Sequence, residues 1–128
     1  MLQGTKAFSG FSVNNLDQAE EFYSTLLGLT VERNEMGLEL HLSEEFVIFV
    51  YQKDDHEPAT FTILNFPVEN ITEAVEELSS KGVTFLRYDN MPAPQDEYGV
   101  LRGKAANQGP DIAWFTDPSG NVLSVLEN

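Results

Sequence analysis

An α+β fold built from two tandem βαβββ modules is predicted by three observations: an internal repeat, a matched pair of helix caps, and hairpin signals at equivalent places in the two halves. The segment Phe11-Ser-Val-Asn-Asn-Leu-Asp-Gln-Ala19 resembles Phe66-Pro-Val-Glu-Asn-Ile-Thr-Glu-Ala74 at a constant offset of 55 residues. The modules are read as residues 6–51 and 60–128 of one domain, forming a curved, partly open mixed sheet with the helices on its convex side.

Each module opens with a strand, over Lys6–Val13 and Thr60–Val68. Pro67 has no amide to donate, so the second of these ends or goes unpaired there. Asn15 with Gln18, and Asn70 with Glu73, follow capping-box spacing, in which the side chain of the first residue accepts an orphan helix amide. Behind them, Leu16, Ala19, Phe22, Tyr23, Leu26 and Leu27 form one apolar helical stripe, and Ile71, Ala74, Val75 and Leu78 form another. Gly28 and Gly82 stand where a left-handed C-cap excludes a Cβ. Strands follow at Leu29–Asn34 and Val83–Tyr88. One hairpin runs from Leu38–Leu42 through Ser43-Glu44-Glu45 into Phe46–Tyr51, the other from Asp111–Thr116 through Asp117-Pro118-Ser119-Gly120 into Asn121–Leu126. Asp, Pro and Gly at the first, second and fourth places of the latter turn signal type I geometry. A polar linker, Gln52–Ala59, joins the modules. Asp89–Pro110 interrupts the second module; a loop this long in a compact domain is disordered or functional, and it is read as a lid with a short strand around Tyr98–Arg102.

Composition narrows the function. Seven basic residues against 21 acidic ones leave a net charge of −14, which repels nucleic-acid backbones and anionic membrane surfaces. The chain has no cysteine, hence no disulfide, thiolate nucleophile or thiolate metal site. No apolar run approaches a membrane span, and the first residues lack a secretory pattern, so a cytoplasmic protein is expected.

The run from Phe11 to Leu29, with its Phe22-Tyr23 and Gly28-Leu29, and the closing Ala113-Trp-Phe-Thr-Asp-Pro-Ser-Gly-Asn121 together resemble the vicinal oxygen chelate superfamily of glyoxalases, bleomycin-resistance proteins and extradiol dioxygenases. The resemblance covers essentially the whole chain. It implies metal ligands at matched places in the first and last strands of each module, which fall here on Phe8, Ile63, Phe49 and Ser124. Aromatic and aliphatic side chains have no lone pair, and serine is a poor ligand for a divalent ion. Neither a metal nor another cofactor is therefore expected, and metal-dependent chemistry at those positions is in doubt. The resemblance also implies a homodimer.

Strand alternation collects the other residues on the predicted concave face: Phe8 and Ser12; Val47, Phe49 and Tyr51; Phe61, Ile63 and Asn65; Val122, Ser124 and Leu126. If Leu42 faces Phe46 across the first hairpin, His41 faces Val47 and Glu39 faces Phe49, so Glu39 and His41 share that face. Two readings stay open for this pair. Both are solvated at the sheet's mouth, or His41 binds a ligand or moves a proton with Glu39 beside it. As metal ligands the two lack partners. His56 is read as solvated in its acidic linker, Trp114 as core, and Tyr98 and Arg102 as lid residues, with Arg102 either meeting an anionic ligand or pairing with nearby acids. The leading expectation is metal-independent binding of a small aromatic or cationic molecule. A lyase- or isomerase-type enzyme acting on a small carbonyl compound through His41 and Glu39 is its rival, and a ligand-free interaction module is the third possibility.

Overall fold

In a computed structural model describing Met1–Asn128, the chain divides into two compact units, Met1–Glu57 and Pro58–Asn128. In the first, strands β1 (Gly10–Val13), β2 (Thr30–Asn34), β3 (Gly37–His41) and β4 (Val47–Gln52) form a sheet in the order β1-β4-β3-β2. Helix α1 (Leu16–Glu21) runs into a single π turn over Phe22–Leu26. In the second unit, β5 (Thr62–Pro67), β6 (Leu101–Arg102), β7 (Asp111–Thr116) and β8 (Val122–Glu127) are ordered β5-β8-β7-β6, with helix α2 (Ile71–Ser80) after β5. In each sheet the first strand pairs in parallel with the last, and the remaining pairs are antiparallel. Two tandem βαβββ modules with open mixed sheets are what the repeat predicts.

The helices start where their caps place them. Asn15 Oδ1 accepts from Gln18 N at 2.9 Å, and Asn70 Oδ1 accepts from Glu73 N at 3.1 Å. A second tie was not foreseen. Gln52, the last residue of β4, accepts from Leu16 N at 3.0 Å, and Glu127, the last of β8, accepts from Ile71 N at 2.9 Å. Each module thus closes its helix's first turn with a side chain from its own final strand. At the other end of α2, Gly82 turns left-handed (φ +98°) while Val83 N donates to Leu78 O, the Schellman closure its position predicts.

The buried face of each sheet follows strand parity. Val13, Leu38, Leu40 and Val50 are buried with Ala19, Phe22 and Tyr23 of the first helical segment; Ala113, Phe115, Leu123 and Val125 are buried with Ile71 and Val75 of α2. The Asp117 turn forms as read. Gly120 N donates to Asp117 O, and the carboxylate of Asp117 accepts from Ser119 N and Asn121 N.

Three strand expectations need correction. Strand β1 begins at Gly10, so Phe8 lies ahead of it. Phe61 precedes β5, and β5 carries a register shift between Thr62 and Leu64. Val83–Tyr88 is not a strand. Along this edge of β7, Leu86 N donates to Trp114 O, while the insertion folds back so that Leu101 and Arg102 pair with Ile112 and Asp111. The Gln95 side chain stands in for a strand neighbour here, accepting from Tyr88 N and donating to Leu86 O and Gly99 O. The two segments share this edge, Leu86 at Trp114 and the insertion at Asp111 and Ile112, so neither forms a full-length strand along β7.

The β2–β3 connection is a two-residue loop, with Asn34 opposite Gly37 and Asn34 Oδ1 accepting from both Met36 N and Gly37 N. Gly37 has φ +152°, and a Cβ there would lie 2.2 Å from Val50 O. Gly37→Ala is expected to destabilise the fold by about 1–3 kcal/mol, since backbone rather than a flexible side chain must yield. Chemical denaturation measures this directly.

Candidate functional site

The register of the first module puts its uncovered face in order. Thr30 is opposite His41, Glu32 opposite Glu39, His41 opposite Val47, Glu39 opposite Phe49, and Ser12 pairs with Tyr51. Since Leu38, Leu40 and Val50 are buried on the helix side, Glu32, Glu39, His41, Val47, Phe49, Tyr51 and Ser12 share the other side. The expected pairing of His41 with Val47 and of Glu39 with Phe49 is present.

Two kinds of chemistry adjoin on this face. Phe49 and Tyr51 stack with ring centroids 5.8 Å apart and planes 17° from parallel. One strand away, His41 Nε2 lies 3.7 Å from Glu32 Oε2 and 3.7 Å from Glu39 Oε1. These separations exceed hydrogen-bond length. Nε2 is shut off from solvent and has no hydrogen-bond partner, although the His41 side chain as a whole is 31% exposed. Glu39 is held from its far side, where Asn34 Nδ2 donates to its Oε2 at 3.1 Å. The expectation that Glu39 and His41 lack a third donor is corrected by Glu32. The signal for Glu32 was available: the tight Asn34–Gly37 turn sets Glu32 opposite Glu39 once the parity of β3 is carried across it.

His56 is also corrected. It is partly buried, with Nδ1 and Ser12 Oγ in a 2.6 Å hydrogen bond, so the linker folds back onto the end of β1. Phe8 lies outside the strand and is 74% exposed.

In the second module, Asn65 pairs with Ser124 and Trp114 with Ser124, so all three share the face opposite α2. Ser124 is buried and donates to Asn65 Oδ1 at 2.5 Å. Trp114 meets Tyr88 edge to face, 5.4 Å between centroids, rather than entering the core with Phe115. Ile63 falls in the register shift, where offset counting from the first module no longer fixes its direction, and Phe61 is 69% exposed ahead of β5.

The lid residues lie elsewhere. Arg102 pairs with Asp111, whose side chain belongs to the helix side with Ala113 and Phe115. Its guanidinium donates to Asp96 at 2.8 Å and to Thr72 of α2 at 2.9 Å, and reaches Asp111 at 3.5 Å. Tyr98 faces Glu76 of α2, whose charge raises the phenol's pKa. An open groove of about 310 Å³ lies between α2 and the insertion, lined by Val75, Ser79, Phe85 and Tyr98. The expectation that Arg102 and Tyr98 cover the uncovered sheet face is therefore corrected. Both dock the insertion against α2, because an arginine beside three acceptors is better satisfied there.

The four positions matched to family metal ligands can be judged one by one. Phe8, Phe49 and Ile63 offer no donor atom, and the Ser124 hydroxyl is engaged with Asn65. These residues do not fit a metal.

The glyoxalase/bleomycin resistance protein/dioxygenase superfamily profile matches residues 8–125. The chain belongs to this superfamily. Solved structures agree in fold. A glyoxalase family protein from Enterococcus faecalis superposes with TM-score 0.68 at 21% identity, covering 99% of this chain and 100% of that one. The fosfomycin resistance protein FosX from Listeria monocytogenes gives 0.67 at 14%, covering 100% and 95%. The antibiotic binding protein TnmS3 from Streptomyces sp. CB03234 gives 0.62 at 18%, covering 98% of each chain. Among curated proteins, none matches this sequence significantly. No helix is long and apolar enough to cross a membrane.

The insertion's anchor has a pH signature. Burial works to raise the pKa of Asp96, but bonds from Val100 N, Arg102 and Tyr98 N outweigh it and leave the carboxyl below its ordinary value of 3.8. A carboxyl with a depressed folded-state pKa contributes stability above its unfolded value and loses it as pH falls through the folded one. Asp96→Asn is thus expected to be less stable than wild type at neutral pH, with the gap narrowing as pH drops below 3.8. Urea denaturation of both proteins across that range tests the sign.

Proposed function

We propose that this superfamily member binds a small aromatic, positively charged molecule on the uncovered sheet face of its first module, with no metal at the four family positions. The observation that carries the reading is the stacked Phe49–Tyr51 pair on the same face as Glu39 and Glu32. An aromatic guest gains by stacking or cation–π contact with such rings, and the neighbouring carboxylates favour a cation. The net charge of −14 adds a long-range attraction of the same sign. The antibiotic binding protein TnmS3, of the same fold, gives a precedent for a binding role. The proposal extends to a homodimer acting in the cytoplasm, and superfamily membership supports the dimer.

Phenyltrimethylammonium and benzoate, matched as aromatic cation and aromatic anion, separate this reading from indifferent apolar binding. The cation is expected to raise the melting temperature saturably and benzoate to leave it unchanged. Tyr51→Ala should weaken binding of the cation about tenfold, or ~1.4 kcal/mol. Equal binding of both compounds, or Tyr51→Ala binding as wild type, contradicts the proposal. Sedimentation velocity on the same samples decides the dimer, and a monomer at all concentrations refutes that part.

A further inference from the structure

We infer that Glu32, Glu39 and His41 form a seat for a divalent first-row transition ion such as Zn²⁺, on β2 and β3 and apart from the positions where the family resemblance places its ligands. One nitrogen and two oxygen donors, one from each residue, lie within 4.8 Å of one another. Imidazole nitrogen with carboxylate oxygen is a donor set that suits zinc, whereas magnesium and calcium prefer oxygen alone.

Three further features point to a cation. His41 Nε2 is buried without a hydrogen-bond partner and is aimed between the two carboxylates. The two carboxylate oxygens it faces at 3.7 Å lie beyond hydrogen-bond length, so neither completes its bonding, and a cation seated between the three groups would engage all of them. The spacing fits a shared ion: ligand atoms around tetrahedral zinc stand about 3.3 Å apart, so modest side-chain rotation closes the present distances. Finally, Glu32 and Glu39 are directly opposite across an antiparallel pair, an arrangement of like charges that opposes pairing unless something positive lies between them.

The supporting groups are already set. Asn34 Nδ2 binds Glu39 Oε2 and leaves Oε1 toward His41. The Asn34 side-chain oxygen Oδ1 in turn accepts from Met36 N and Gly37 N, which fixes the amide. A carboxylate oriented through its second oxygen is typical support for a metal ligand. Three protein donors leave the remaining coordination positions open to water or to a ligand.

The inference goes beyond the binding role proposed above, and separate variants report on each, since Tyr51 is not a donor and Glu32 is not part of the aromatic pair. Tag-free protein, stripped with a chelator, would be titrated with Zn²⁺ by calorimetry and with Co²⁺ by visible absorption. One ion per chain is expected, with Co²⁺ bands of a mixed nitrogen–oxygen site and no comparable binding of Mg²⁺. Glu32→Gln and His41→Ala should each weaken Zn²⁺ binding about tenfold or more, while His56→Ala leaves it unchanged. Circular dichroism confirms that the variants fold; the Glu32 side chain is two-thirds exposed, so its amide variant keeps the fold and carries the test even if His41→Ala does not. Absence of Zn²⁺ binding to wild type, or binding that survives Glu32→Gln, overturns the inference. Loss of binding in His56→Ala alone assigns the ion to the other histidine and equally overturns it.

Discussion

The register between β3 and β4 is the constraint on which the first module rests. Leu38 opposite Val50 and Leu40 opposite Ile48 place the apolar side chains of both strands on the helix side, where Leu38, Leu40 and Val50 are buried completely. A slip of one residue would turn those side chains to solvent and draw Glu39 and His41 under α1. The hydrophobic gain that fixes the core therefore also fixes the polar face. Glu39, His41, Phe49 and Tyr51 share the face away from the helix because their neighbours are buried together on the other. The same logic in the second module buries Ala113, Phe115, Leu123 and Val125 and leaves Trp114 and Asn65 on the other side.

The helices are bound to this arrangement at their first turns. Gln52 and Glu127 each accept an amide that neither the helix nor the Asn cap satisfies. Both lie at the end of the strand that pairs with the module's first strand, so helix start, first strand and last strand are fixed relative to one another within each module. In the second module the tie is charged. Lys104 of the insertion pairs with the same Glu127, and together with the amide of Ile71 it lowers the carboxylate's pKa. The insertion is thus linked to α2 through Glu127 and Lys104 as well as through Arg102 and Thr72.

Much of this was legible in the residues. The repeat gave the module count, the caps gave the helix starts, and the Asp117 turn and the Leu42–Phe46 facing gave two registers. Legibility failed where the second module departs from the first. Offset counting put Ile63 in line with Phe8, but β5 carries an irregularity that breaks the count, and Phe8 itself precedes its strand. Nothing in Val83–Tyr88 shows that residues 101 and 102, far along the chain, pair with β7 while only Leu86 of this segment bonds to it. The face that Arg102 serves is not legible in sequence because its partner Thr72 is distant along the chain and its strand pairing is only two residues long. His56 is illegible for a similar reason: its acidic neighbours suggest solvent, whereas its partner Ser12 comes from the start of the module.

The chemistry of the site follows from which positions carry lone pairs. At the matched family positions Phe8, Phe49 and Ile63 carry no lone pair and the Ser124 hydroxyl is engaged with Asn65, which removes coordination there. The donors that the first module does present sit one and two strands further over, on β2 and β3, where Glu32 faces Glu39. Two carboxylates opposed in this way are a cost to the folded sheet. Neighbouring Asn34 fixes one of them by hydrogen bonding without neutralising it. The basic residue nearest in sequence, Arg33, points to the opposite side and pairs with Asp17 and Glu20 of α1. Within this module the negative charge of the uncovered face therefore goes unanswered by arginine or lysine from its own strands. A positively charged guest or ion is the species whose binding would relieve that repulsion, and the aromatic rings beside it determine which part of the face each would occupy.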